Sequence, residues 1–201
     1  QARIDLGRIT RLSPATVTSI TSDLISEGLV AGVEDDCQRE REKGARGRPR
    51  SLLALHGPAA RVLAVKLSVN TIEMALADYA GRLVGRDVAG FDSTSVTADG
   101  FSEILIDSLR AFIARTGGVA PSFIALASQG VVDDSAGTVA WSPAFAVRHV
   151  QIVGPLARAF GVPCLLSNDT NMIAEALHRS DPQRYGGTFA VLFVDYGVGM
   201  G

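Results

Sequence analysis

Ser13-Pro14-Ala15-Thr16-Val17-Thr18-Ser19-Ile20-Thr21-Ser22-Asp23-Leu24-Ile25-Ser26-Glu27-Gly28 decides how the N-terminal part of the chain is read. Ser13 suits an N-cap, and Pro14 suits the first helical position, where a missing N–H costs nothing. Val17, Ile20, Leu24 and Ile25 recur at helical spacing and predict one buried face, leaving Ala15, Thr16, Thr18, Ser19 and Ser22 outside. Glu27-Gly28 ends the helix. Upstream, Ile4, Leu6 and Ile9 predict a short apolar helix, joined through a turn at Thr10-Arg11-Leu12. Downstream, Leu29-Val30-Ala31-Gly32-Val33 and Ser51-Leu52-Leu53-Ala54-Leu55 predict two strands that bracket a long basic loop. Helix, turn, helix and hairpin in this order make a winged helix-turn-helix.

His56-Gly57-Pro58 interrupts the chain, and the pattern beyond it becomes strand-like, so a boundary near Gly57 predicts two domains, 1–56 and 57–201. Strands are expected at 62–69, 71–78 and 82–88, then a helix carrying Phe101, Ile104, Leu105, Leu109 and Phe112, capped by Asp99 or Gly100. A buried strand at 122–128 precedes a turn-rich stretch at 130–139. A helix at 150–160, a strand at 162–166, a helix at 169–178 and a strand at 188–195 follow, the last running into Gly197-Val198-Gly199-Met200-Gly201. Adjacent strands followed by alternating helices and strands predict a mixed α/β sheet.

The 201 residues are 47% hydrophobic and 20% charged, which excludes disorder and collagen-like repetition. The longest apolar runs are far shorter than the roughly 20 residues of a membrane span, so no membrane partner is expected. No cationic leader with a cleavage site is recognisable, and two cysteines, Cys37 and Cys164, are too few for a disulfide framework, so the expected compartment is the cytoplasm. Those cysteines, with His56, His149 and His178 scattered, give no metal spacing.

A net charge of −2 selects no partner, but its distribution does. Residues 39–50 hold Arg39, Arg41, Lys43, Arg46, Arg48 and Arg50 against only Glu40 and Glu42. The hydroxyls of Ser13, Thr16, Thr18 and Ser19 suit phosphates and base edges, while Arg46, Arg48 and Arg50 on the wing suit backbone and a narrow minor groove. A small helical domain with a solvated basic loop is the plainer alternative.

Leu12-Ser13-Pro14-Ala15-Thr16-Val17, Leu24-Ile25-Ser26-Glu27-Gly28-Leu29-Val30, and Gly47-Arg48-Pro49 leading into Leu52-Leu53-Ala54-Leu55 together resemble the repressor branch of the ROK family of repressors, open reading frames and sugar kinases. Gly130-Val131-Val132-Asp133, Ser142-Pro143 and Asn168-Asp169-Thr170-Asn171 are similar to elements of its sugar-binding lobe. The resemblance implies an actin-like, ribonuclease-H-type lobe with Gly130, Asn168 and Asp169 as ligand-binding residues. It also implies a second lobe with a Glu-x-Gly-His element and a zinc cluster, which is absent here, so the chain reads as truncated at both ends. In the family's kinases the aspartate matching Asp169 takes the proton of a sugar hydroxyl. Asp169 also suits a helix N-cap, Asn168 a turn, and both readings can hold together.

The phosphate loop of such kinases resembles Asp-x-Gly-Gly-Thr, whereas this chain has Lys66-Leu67-Ser68-Val69-Asn70. Without the acid and the glycines, phosphoryl transfer is not expected. Ala144 and Gln129 also depart from the family's usual asparagine and proline. Trp141, the one tryptophan, suits either core packing, the favoured role, or a sugar face. The function expected is a cofactor-free, metal-free regulator that binds a double-stranded DNA operator, senses a small carbohydrate effector, and forms a homo-oligomer at full length. The alternatives are a sugar kinase with a DNA-binding extension and an interaction module without a ligand.

Overall fold

The structure is a computed structural model and describes residues 1–33, 52–194 and 197–201. Chain contacts divide it into two compact units, Gln1–Ala60 with Asp78–Arg82, and Arg61–Ala77 with Leu83–Gly201. Among the described residues, no helix is long and apolar enough to cross a membrane.

In the first unit, α1 (Arg3–Thr10) ends where Arg11 turns left-handed at φ 57°. Ser13 then caps α2 (Pro14–Ser26), its hydroxyl oxygen accepting from the Thr16 amide at 3.2 Å. Strands β1 (Val30–Val33) and β2 (Leu52–Leu55) pair antiparallel, with Val30 opposite Leu55. Ala2 bridges to Leu52, and the backbones of Gln1 and Leu53 exchange hydrogen bonds, so the N-terminus borders the hairpin.

The apolar faces expected here are corrected. Val17 and Thr21 are the buried residues of α2, whereas Ile20 and Ile25 are exposed. A threonine can replace an isoleucine at this contact because Arg3 Nε donates to its hydroxyl at 2.9 Å, and Thr21 donates onward to the Thr18 carbonyl. Ile4 and Ile9 of α1 are likewise exposed.

The second unit is built on a five-stranded sheet in the order β10-β6-β3-β4-β5. Here β3 is Arg61–Ser68, β4 Thr71–Asp78, β5 Leu83–Gly90, β6 Phe123–Ser128 and β10 Cys164–Asn168. The two-residue connection Val69-Asn70 allows only an antiparallel β3–β4 hairpin. β4 and β5 are also antiparallel, while β3, β6 and β10 run parallel. Alternation places Leu63, Val65, Leu67, Ile72, Met74, Leu76, Ile124 and Leu126 on one face. Against them pack Phe101, Leu105, Leu109 and Phe112 of α3 (Ala98–Arg115) and Leu156 of α4 (Val153–Phe160). Each such fully buried side chain is worth about 1.5–3 kcal/mol.

Several boundaries differ from expectation. Thr97 caps α3, its hydroxyl accepting from the Gly100 amide at 3.1 Å, so Asp99 and Gly100 lie inside the helix. The stretch expected to be turn-rich contains β7 (Val131–Asp133) and the first half of β8 (Thr138–Trp141), and β9 (Val150–Gln151) completes a three-stranded sheet. Val150 and Gln151 are therefore strand rather than helix, because they pair with Val139 and Thr138. Helix α5 (Asp169–Ser180) leads into α6 (Pro182–Tyr185). The last expected strand shrinks to β11 (Leu192–Val194), which pairs with β12 (Val198–Met200) outside the main sheet.

Candidate functional site

Parallel strands β6 and β10 end side by side, with Asn168 in register with Ser128. Beyond such carboxyl ends the chain must turn away, and the diverging connections leave a crevice. Here the turn after β6 is Gln129-Gly130, while β10 runs directly into α5. A cleft of about 430 Å³ opens between them, lined by Gln129, Gly130, Trp141, Pro143, Asn168, Asp169, Thr170, Phe193, Gly197, Val198, Gly199 and Met200.

Asn168 caps α5, correcting the alternative that gave this task to Asp169. Its Oδ1 accepts from the Thr170 and Asn171 amides at 2.9 and 3.2 Å, and its Nδ2 donates to the Gly130 carbonyl at 2.8 Å. The amide thus fastens the β6 turn to the start of α5 and has its donor and acceptor engaged by the protein. Gly130 has φ 95°, and a Cβ there would collide with the Trp141 carbonyl oxygen. A side chain is excluded on both counts.

Asp169 is 6% exposed. Its Oδ1 accepts from the Thr170 amide at 2.9 Å, but Oδ2 is buried and has no hydrogen-bond partner among the described residues. A carboxylate oxygen taken from water without a replacement donor is costly, so a ligand hydroxyl arriving there would relieve that cost. On the other wall, Ser142 accepts from the Ala144 amide at 3.1 Å and shapes the Ser-Pro turn, with Ala144 fully buried. Trp141 is 43% exposed beside the cleft, which corrects its favoured assignment to the core.

The β3–β4 turn, where a kinase of this kind would hold phosphates, is tied to the loop that follows β5. Asn70 adopts φ 60°, accepts from the Ser93 amide at 3.0 Å through Oδ1, and donates its own amide to Ser93 Oγ at 2.6 Å. Leu67 and Ser68 are buried, and Lys66 Nζ sits 3.8 Å from Glu73 and 5.6 Å from the centroid of the Phe193 ring.

The sequence pattern of the ROK family matches residues 62–201. The chain belongs to the ROK family. The DNA-binding transcriptional repressor Mlc of Escherichia coli (strain K12) is 27% identical to this ROK protein over 208 residues, covering 100% of this chain and 48% of Mlc. The xylose repressor of Caldicellulosiruptor bescii is 21% identical over 202 residues, with the same two shares. The chain thus spans about half the length of these curated relatives. A crystal structure of a ROK family transcriptional regulator, a homologue of E. coli Mlc, superposes with a TM-score of 0.70 at 22% identity, covering 100% of this chain and 50% of that one.

Of the other expected site residues, Ser13, Thr16, Thr18 and Ser19 are all exposed on the first turns of α2 or at its cap. Thr18 donates to the Pro14 carbonyl, and the Ser13 and Thr16 hydroxyls bond each other at 2.8 Å. Arg46, Arg48 and Arg50, like Cys37, lie outside the described residues. Cys164 is half-buried on β10, and burial pushes its thiol up. No group of metal-ligating side chains occurs among the described residues.

Sequence reasoning missed Phe193, Val198 and Met200 as cleft residues. Their short hairpin lies apart from the main sheet, and nothing in a run of apolar residues announces that.

Proposed function

We propose that this chain belongs to a sugar-responsive transcriptional repressor: residues 1–56 form a winged helix-turn-helix that places α2 in the major groove of a double-stranded operator, and the ROK lobe from residue 57 binds the effector. The observation that carries the reading is the extent of the match to Mlc and the xylose repressor, which runs through the whole chain, whereas the family pattern begins at residue 62. That additional segment carries a capped helix with an exposed row of hydroxyls beside a hairpin. Ser13, Thr16, Thr18 and Ser19 contact DNA from the helix, and Arg46, Arg48 and Arg50 contact it from the wing.

In the lobe, Asp169 is the group that meets the ligand, because its free carboxylate oxygen accepts from a sugar hydroxyl. Asn168 and Gly130 position it through the turn they share. Phosphoryl transfer is not part of this function. The β3–β4 turn offers phosphates no acid for a metal, and its Asn70 amide is already bonded to Ser93 of the loop after β5.

The test is operator binding at fixed salt, using DNA selected by the protein from a random pool. Thr16→Ala and Arg48→Ala should each weaken binding, by about 1–3 kcal/mol where a base contact is lost. Asp169→Asn should bind the operator normally but lose release by D-glucose or D-xylose. Unchanged operator binding by both DNA-face variants, or metal-dependent and sugar-stimulated ATP turnover, would overturn the reading.

A further inference from the structure

Trp141 has a setting that core packing does not explain. It ends β8, whose Thr138 and Val139 are buried, and it is followed by Ser142 at 1% exposure, yet Trp141 itself is 43% exposed. Indole burial is a large source of stability, so an indole left beside a cleft is poised to be covered by something else.

Two backbone devices fix it there. Val132 pairs with Val139 and Val131 with Trp141, so Ala140 is an extra residue, and the resulting β-bulge re-aims the side chains after it. The Trp141 carbonyl occupies the space that a side chain at residue 130 would take, which locks the same peptide against Gly130.

The cleft wall continues this apolar character through Pro143, Phe193, Val198 and Met200. Among the described lining residues Asp169 is the one ionisable group. Lys66 meets this wall through the ring of Phe193 and is engaged by Glu73. An anionic ligand would therefore face a carboxylate without a lining cation to offset it, which low-dielectric surroundings penalise strongly.

We propose that Trp141 is a specificity-determining residue, and that the cleft takes an uncharged glycoside with an apolar aglycone in preference to a free or phosphorylated sugar. This rests on the sugar-sensing reading above. The sugar presents a hydroxyl to Asp169 Oδ2, while the aglycone lies against the indole and its apolar neighbours. The volume falls within the range of about 300–1,000 Å³ typical of small-ligand sites.

Because Trp141 is the single tryptophan, its fluorescence reports occupancy directly, with calorimetry for the variants. The probes are phenyl and methyl β-D-glucopyranosides, the corresponding β-D-xylopyranosides, and D-glucose 6-phosphate. The phenyl glycoside of one pair should bind at least tenfold more tightly than its methyl counterpart and change the emission, while the phosphate should not bind. Trp141→Ala should erase the phenyl advantage, Trp141→Phe should retain most of it, and Asp169→Asn should weaken both glycosides. Equal phenyl and methyl affinities that still depend on Asp169, or a phenyl advantage surviving in Trp141→Ala, would overturn the role of Trp141 and leave the sugar-sensing reading standing. Absence of Asp169-dependent binding by every glycoside would overturn that reading and this inference with it.

Discussion

The β3–β4 turn and the β10–α5 junction both follow strands of one sheet, and both place asparagine at the turn, but they finish differently. Asn70 and Ser93 satisfy each other through a reciprocal pair of hydrogen bonds. Asn168 is equally engaged, with three bonds to the protein, but the next residue, Asp169, retains one buried carboxylate oxygen without a partner among the described residues. The β3–β4 turn is tied to the Ser93 loop through its asparagine, and its one buried side-chain atom without a partner among the described residues is the neutral Ser68 hydroxyl. A junction that leaves a carboxylate oxygen unmatched bears the larger cost, one that folding alone does not explain.

The strongest way to break this contrast is at Gly130. Gly130→Ala should cost at least about 2 kcal/mol, because the new methyl collides with the Trp141 carbonyl at a φ of 95° that disfavours a side chain. Denaturant unfolding will check this, and a near-neutral result would mean that the turn is not held as described. Next in size is Asn168→Ala, which removes a cap and leaves the Gly130 carbonyl without its donor. It should lose about 1–3 kcal/mol and also weaken the effector response, by loosening Asp169.

A smaller effect sharpens the comparison from the other turn. Asp92, beside Ser93, is held down to about 2 by hydrogen bonds first from the Thr94 hydroxyl, then from the Ser95 hydroxyl and the Thr94 amide. Its folded value lies below the ordinary carboxylate value, so its stabilising contribution is complete above roughly pH 4 and disappears as pH falls through about 2. Carboxyl NMR titration should find Asp92 still ionised at pH 3 in the folded protein, with a midpoint that rises in Thr94→Ala yet stays below the ordinary carboxylate value because the Ser95 hydroxyl and the residue-94 amide still donate.

Local pattern made the regular parts of this fold legible. The two-residue spacing of Leu63, Val65 and Leu67 and then of Ile72, Met74 and Leu76, and the four-residue repeat of Phe101, Leu105 and Leu109, indicate strands and helix without tertiary help. The small sheet of β7, β8 and β9 escaped because its strands are two to four residues long, and a bulge interrupts their alternation. On α2, apolarity favoured Ile20 over Thr21, but Arg3, distant in sequence, supplies the donor that lets Thr21 turn inward. In the cleft, Asp169 was legible from its neighbours and the resemblance they carry. Trp141 was not, since its exposure depends on one additional residue in a strand.

The three hydrogen bonds of Asn168 have a consequence for descent. They hold a helix start to a neighbouring turn whether or not any ligand arrives, so an asparagine here would be preserved by the need to fold alone. A lineage that abandoned effector sensing could keep it indefinitely. Asp169 holds only the Thr170 amide through Oδ1, and on the proposed sensory reading its second oxygen depends on a ligand hydroxyl: once none is needed, replacement by a neutral residue removes a burden, and drift should find that replacement quickly. Among descendants of this protein, the asparagine would then record ancestry, and the aspartate a sensory role still in use.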